Sequence, residues 1–246
     1  MKKVLGAIIC GGLFAGLIYL LGIYDVAAIG PLGTEVGFSH VNRFVHDLTG
    51  VNMFWYDITE FIGYAAIAIC ALFALAGLVQ MIKRRSLLKV DHEILALGGL
   101  FIAVIACYVF FEKYVVNYRP IIMPNESAPE PSFPSSHTVL IMTVLVAVMI
   151  ISDRYFGKGL GGLLRILCFL TVFVTIIGRL YCGVHWATDI AGGILLSATL
   201  LYLFSAVVSA GDKKKPGARL AGEFSEASRA SKAAKSDTID GYKPKH

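Results

Sequence analysis

Long, unbroken apolar runs separated by short polar stretches set the pattern of this chain. A helix needs roughly 20 mostly apolar residues to cross a hydrocarbon core about 30 Å thick. Six runs approach that length, at about 4 to 24, 58 to 82, 93 to 111, 137 to 152, 161 to 178 and 189 to 209. The runs are continuous, whereas the strands of a membrane barrel alternate, and in lipid each segment must satisfy its own backbone polar groups. The expected fold class is therefore all-α, a polytopic membrane protein with six transmembrane helices. The first run follows Met1, Lys2 and Lys3 and exceeds the apolar region of a secretory signal, so it is expected to stay as a span.

Between the first two runs, Val41, Phe44, Val45 and Leu48 recur at the spacing of one helix face. That helix is expected to lie flat at the membrane interface beside Phe54, Trp55 and Tyr56, with His40, His46 and Asp47 solvated. The prolines at 120, 124, 129, 131 and 134 mark a loop, whose Glu126 and Glu130 are candidates for shaping substrate access. Three regions result: 1–57, the first span and interfacial loop; 58–210, a core of five spans; and 211–246, a Lys-, Ala-, Ser- and Gly-rich tail too polar to fold.

Composition agrees, with 57% hydrophobic and only 16% charged residues. The net charge of +5 raises a nucleic-acid partner, but the tail from 211 holds nine Lys or Arg against five Asp or Glu, so most of the excess sits there. Lys213, Lys214 and Lys215 read as a tether to anionic membrane lipid, and no nucleic-acid partner is expected. Lys2, Lys3, Lys83, Arg84, Arg85, Lys89, Arg154, Lys158 and Arg165 fall on the same side as the tail, against Arg43, Lys113, Arg119 and Arg179 on the other. The positive-inside rule then makes both termini cytoplasmic and turns the loops at 25–57, 112–136 and 179–188 outward. Five cysteines with no metal-like spacing imply neither a disulfide framework nor a structural metal; Cys182 is a candidate exposed thiol.

Ionisable residues at membrane depth are costly, so their gathering at the outer span ends points to function. Asn117, Arg119, Ser135, Ser136, His137, Arg179, His185 and Asp189 all fall there. His185 and Asp189 are four apart, which on a helix lets the carboxylate hold one ring nitrogen and present the other as nucleophile or base. Pro134, Ser135 and Ser136 announce a helix start, a natural anion site. Two arginines add fork-shaped donors for phosphate oxygens. Together these residues suggest phosphoryl transfer at an outer-face site. Trp186 and Tyr181 read as interface anchors.

Arg119-Pro120, Pro134-Ser135-Ser136-His137, and Arg179, His185 and Asp189 at their spacing resemble the three-part signature of the type 2 phosphatidic acid phosphatases, relatives of the vanadium haloperoxidases and glucose-6-phosphatase. The resemblance implies that Arg119, Ser135 and Arg179 bind phosphate; Ser136, which departs from it, can add a hydroxyl donor. It further implies that His185 attacks phosphorus, Asp189 orients it and His137 protonates the leaving oxygen, with no metal or other cofactor. Three positions depart from the pattern: Glu112 stands where the family has lysine, Ser136 where it has glycine, and Gly178 where it has serine. Lys113 is one step late, about 100° around an ideal helix, so Glu112 is expected to face inward, paired with Arg119 or Arg179. The expected activity is hydrolysis of a lipid phosphate or pyrophosphate, undecaprenyl pyrophosphate first. The alternatives are phosphatidylglycerophosphate or lipid A phosphates, a lipid phosphotransferase, and a non-enzymatic lipid-binding or transport protein.

Overall fold

The computed structural model describes residues 1–124 and 126–213. Six helices form its frame: α1 (Lys2–Leu21), α2 (Ser39–Thr49), α3 (Met53–Arg84), α4 (His92–Lys113), α5 (Ser136–Tyr181) and α6 (Ala187–Lys213). All but α2 are long and apolar enough to cross a membrane. The described residues contain no strand, only isolated bridges at Ala27 with Val36 and Tyr118 with Pro131.

At 46 residues and about 1.5 Å of rise per residue, α5 would far overshoot a bilayer if straight. It breaks at Gly157, whose φ of 71° and ψ of 168° belong to glycine alone. The arms on either side fold back antiparallel. A Cβ on Gly161 would come within 3.0 Å of the Asp153 backbone, and Arg165 pairs with Asp153. The expected fourth and fifth spans are therefore these two arms, which restores six crossings.

Ala66 of α3 packs with Ile141, Val144, Leu145 and Val148 of the first arm and Cys168 and Val172 of the second. A second cluster joins Leu21 of α1, Val104 and Phe111 of α4, Val139 of α5 and Leu196 of α6 around Phe133. Phe133 is almost fully buried; Phe14 stacks on it at 5.8 Å and Phe111 meets its edge at 6.0 Å. Gly192 leaves its room, since a Cβ there would lie 2.4 Å from the ring. The residue before the Pro134 helix-start signal is thus pinned in the core.

Residues Met1–Ala206 form one compact unit. From Val207 a second unit begins, described as far as Lys213, where α6 continues past the expected tail start at 211. Lys214, Lys215 and the rest of the tail lie outside the described residues.

As expected, 39–49 is a helix whose Val41, Phe44 and Leu48 face outward. Asn42, on its opposite face, is fully buried: its amide donates to the Gly37 carbonyl at 2.8 Å and to Thr188 Oγ1 at 3.0 Å, and accepts from the Thr188 N–H at 3.1 Å. Asn42 therefore ties α2 to the start of α6. Phe54, Trp55 and Tyr56 belong to the first turn of α3, capped by Asn52, and not to a loop. His46 is half-buried with its ring 5.6 Å from that of Trp186, in place of the expected solvated setting.

The basic residues Arg84, Lys89, Arg154 and Arg165 collect at one end of the bundle, where Arg84 pairs with Asp91 and Arg154 with the buried Glu93. The signature residues collect at the other end.

Candidate active site

Four elements meet at that second end: the N-terminal turns of α3, α5 and α6, and the loop 182–186 between the last two. The chain after α4 folds back on itself, with the Arg119 N–H donating to the Glu130 carbonyl at 2.9 Å and the Ser132 N–H to the Asn117 carbonyl at 2.9 Å. This small clasp holds Arg119 over the helix starts. Its Nε lies 3.1 Å from a Glu130 carboxylate oxygen, without the alignment of a hydrogen bond, and its buried Nη1 also has no partner.

Arg179 is fully buried, with its guanidinium carbon 5.5 Å from the Tyr56 ring centre. Nη1 donates to Thr59 Oγ1 at 3.2 Å, Nη2 reaches His185 Nε2 at 2.7 Å, and Nε is left without a partner. Thr59 in turn donates to the backbone carbonyls of Trp55 and Tyr56. Gly178 explains how α3 comes so close: a Cβ there would meet Thr59 and Trp55 at 3.0 and 3.1 Å. A serine at 178 would push α3 away; with glycine there, the α3 hydroxyl reaches Arg179 instead.

His185 precedes α6 and does not lie on it. Gly183 makes the turn, at a φ of 70° and with its Cα 's would-be Cβ only 2.3 Å from the Gly50 carbonyl oxygen. The imidazole then has a nearer partner than the expected Asp189. His185 Nδ1 lies 3.1 Å from the Ser132 carbonyl and 3.7 Å from Asp189 Oδ2. A carbonyl can only accept, so Nδ1 carries the proton and Nε2 holds the lone pair, which accepts from Arg179. Asp189 takes the Trp186 N–H at 2.9 Å and the Asn117 amide at 2.8 Å, capping its own helix. It thereby fixes the loop that carries His185. Burial, and after it the charges of Arg179 and Arg119, hold the imidazole well below its usual pKa, so it is neutral near pH 7.

Ser135 caps α5, accepting from the Thr138 N–H at 3.5 Å and the Thr138 hydroxyl at 3.0 Å, and its own N–H donates to the Asp189 carbonyl. Ser136 begins the helix and His137 follows in its first turn. His137 Nε2 lies 3.0 Å from Glu60 Oε1, while its buried Nδ1 has no partner. Gly63 leaves the ring its space.

Glu112 and Lys113 part company. Glu112 lines the same cavity as Glu60 and His137, whereas Lys113 lines a separate crevice with Ile102, Val109 and Tyr114. Arg119 has Glu130 beside it, not the expected Glu112. Lys113→Ala is therefore expected to change kcat/KM less than about twofold, against a cost of about 1.5–3 kcal/mol for losing a contact to a charged group. A loss of tenfold or more would put Lys113 at the phosphate.

An apolar cavity of about 530 Å³ runs from this polar end between α3, α4 and the first arm of α5. Tyr64, Ile67, Ile105 and Tyr108 line it and are themselves exposed on the bundle's outer face, so the cavity opens sideways, where lipid would lie.

Sequence reasoning missed Glu60, Thr59, Tyr56, Asn42 and Ser132. Glu60 was the one with a signal, a carboxylate inside an apolar run. Trp186 and Cys182 also move from the expected surface into the interior: the indole N–H donates to the Tyr118 carbonyl at 2.8 Å, and the thiol to the Arg179 carbonyl at 3.2 Å.

Fold and site define a helical, multi-pass membrane protein with two arginines and two histidines gathered at one end of its bundle. The chain belongs to the PAP2 superfamily, whose sequence profile matches residues 65–212. It is 23% identical over 140 residues to an undecaprenyl-diphosphatase of Sulfolobus acidocaldarius, covering 56% of this chain and 64% of that one. It is 36% identical over 92 residues to sphingosine-1-phosphate phosphatase 2 of Mus musculus, covering 35% and 25%. The chain thus spans less than two thirds of each of these relatives. A transmembrane PAP2-type phosphatidylglycerolphosphate phosphatase of Bacillus subtilis shares the fold at a TM-score of 0.61 and 17% identity, covering 88% of this chain and 99% of that one.

Proposed function

We propose that this protein is a membrane phosphatase that hydrolyses a lipid phosphate or lipid pyrophosphate through a phosphohistidine, with undecaprenyl pyrophosphate the leading substrate. The carrying observation is the His185 imidazole, held at Nδ1 by the Ser132 carbonyl, with its Nε2 against Arg179 and the unpartnered N–H groups of Arg119 and Arg179 nearby. A phosphate oxygen takes over the Arg179 N–H, which frees the Nε2 lone pair. Nε2 then bonds to phosphorus as the bond to the leaving oxygen breaks and His137 protonates that oxygen. Water hydrolyses the N–P bond, releasing orthophosphate and restoring His185. The two arginines hold the oxyanion charge that peaks in the transition state.

The sideways-opening cavity supports a lipid as the leaving group, since it accepts an apolar chain from the bilayer while the phosphate meets the arginines. The relatives' names agree in kind: a diphosphatase of a polyprenyl lipid, a phosphatase of a sphingoid phosphate and one of a glycerophospholipid.

Purified protein is expected to release phosphate from at least one member of a panel of isoprenoid, glycerophospholipid, sphingoid and lipid A phosphates. Activity should persist in chelator, and vanadate should inhibit by mimicking the five-coordinate phosphoryl group. Activity lost in chelator and restored by a divalent metal would overturn the mechanism.

The charge asymmetry supports cytoplasmic termini and an outward-facing site. Single cysteines at Ser86 and Ser127 are therefore expected to differ: an impermeant thiol reagent added to intact cells should label Ser127→Cys and spare Ser86→Cys. The opposite pattern would invert the topology.

A further inference from the structure

Glu60 is absent from the three-part signature and lies outside the residues matched by the superfamily profile, yet it is the residue in contact with His137. It sits two turns into α3, a spanning helix, at a depth where a carboxylate is retained only with a partner or a task. Its Oε1 is 3.0 Å from His137 Nε2, and both side chains are mostly buried, at 24% and 20% exposure. The other ring nitrogen, Nδ1, is buried and has no partner. Gly63, one turn further along α3, clears the space in which the ring turns toward Glu60. α3 thus supplies both the carboxylate and the room for the imidazole.

We infer that Glu60 is the positioning residue of the proton-donating histidine: it accepts the Nε2–H of His137 and so makes Nδ1 the atom that delivers the proton to the leaving oxygen. This rests on the phosphatase reading above. A carboxylate can only accept, so Nε2 carries a proton whenever Glu60 is ionised. The second proton of the imidazolium then lies on Nδ1, the nitrogen with no protein partner. With phosphate bound, its negative charge offsets Arg119 and Arg179, and Glu60 holds the imidazolium against the remaining desolvation. As Nε2 of His185 bonds to phosphorus, the P–O bond breaks and its electron pair goes to the lipid oxygen. That oxygen takes the Nδ1 proton and leaves as an alcohol, or as a protonated phosphate oxygen for a pyrophosphate. Neutral His137 then takes a proton from the water that attacks the N–P bond, and the cycle closes with Glu60 unchanged.

The consequence is a dependence on the leaving group. A lipid alkoxide is a poor leaving group and needs the proton; p-nitrophenolate leaves without it. General acid catalysis contributes on the order of 10²–10⁴-fold. Glu60→Gln is therefore expected to lower kcat/KM, which reports the steps up to departure of the leaving group and not the later hydrolysis of the phosphohistidine, about 100-fold or more on an alkyl lipid monophosphate. On p-nitrophenyl phosphate it should lower kcat/KM less than about tenfold, with Glu60→Asp intermediate on the lipid. Size-exclusion elution and vanadate binding like wild type confirm a folded variant. Equal losses on both substrates with vanadate binding retained, or no loss on the lipid, would overturn the role of Glu60. If the variant does not fold, the same comparison on Glu60→Asp decides, and equal losses there overturn it too. Wild-type protein that releases phosphate from neither substrate would overturn the phosphatase reading itself, and this inference with it.

Discussion

Replacement of His185 by alanine is expected to lower kcat on any lipid phosphate by about 10⁴-fold or more, the scale on which loss of a covalent nucleophile is felt. The imidazole is held from both sides, by the Ser132 carbonyl on Nδ1 and by Arg179 on Nε2, and no other described nucleophile shares that position. An alkaline quench of turnover with ³²P-labelled substrate should trap label on the wild-type protein and none on His185→Ala. A variant that still traps label would move the nucleophile elsewhere. The pH profile adds a signed test. Burial and the two arginines depress the imidazole pKa, so Nε2 stays unprotonated as pH falls through the usual histidine range near 6.5. Corrected for ionisation of the phosphate substrate, kcat/KM should lose its His185-dependent part only well below that range. An acid limb centred near 6.5 would mean that the imidazole is not buried as described.

The second large effect is expected at Arg179. Lysine cannot reach Thr59 and His185 and still keep a third donor unengaged, as the guanidinium does with Nη1, Nη2 and Nε. Arg179→Lys should therefore lower kcat/KM by about 10²–10³-fold, the range for loss of one transition-state donor. Stability should go the other way. Arg179 is fully buried, with a hydroxyl, an imidazole and an aromatic ring around it and, among the described residues, no carboxylate in hydrogen-bonding contact. A buried charge paired so sparingly costs more than an apolar side chain of similar size. Arg179→Met should abolish activity and leave the Tm in detergent unchanged or raised. A fall of several degrees would show that the arginine holds the fold together and is not there for the ligand.

Much of the architecture is legible in the chain itself, because lipid imposes one strong rule: a segment that crosses must be apolar and must satisfy its own backbone. The run at 93 to 111 falls within α4, and the Pro134-Ser135-Ser136 signal falls where α5 starts, with Ser135 as cap. Local chemistry suffices for both. The stripe at Val41, Phe44 and Leu48 likewise becomes the outer face of α2.

What the sequence by itself determined was the set of spans, the end of the bundle at which the polar residues gather, and the residue types available for chemistry there. Tertiary structure alone decided how those residues are held. His185 and Asp189 share a spacing of four that suggests one helix face, yet Gly183 turns the chain so that His185 precedes α6, and a carbonyl 53 residues away accepts the hydrogen bond from its ring N–H. Glu60 and His137, or Thr59 and Arg179, are too far apart in the chain for any local period to link them. They meet because glycines at 63 and 178 let α3 approach both arms of α5 at near-contact distance. Periodicity reports which way a side chain faces on its own helix; which partner it finds there depends on how closely two helices can pack, and that is set by the small residues between them.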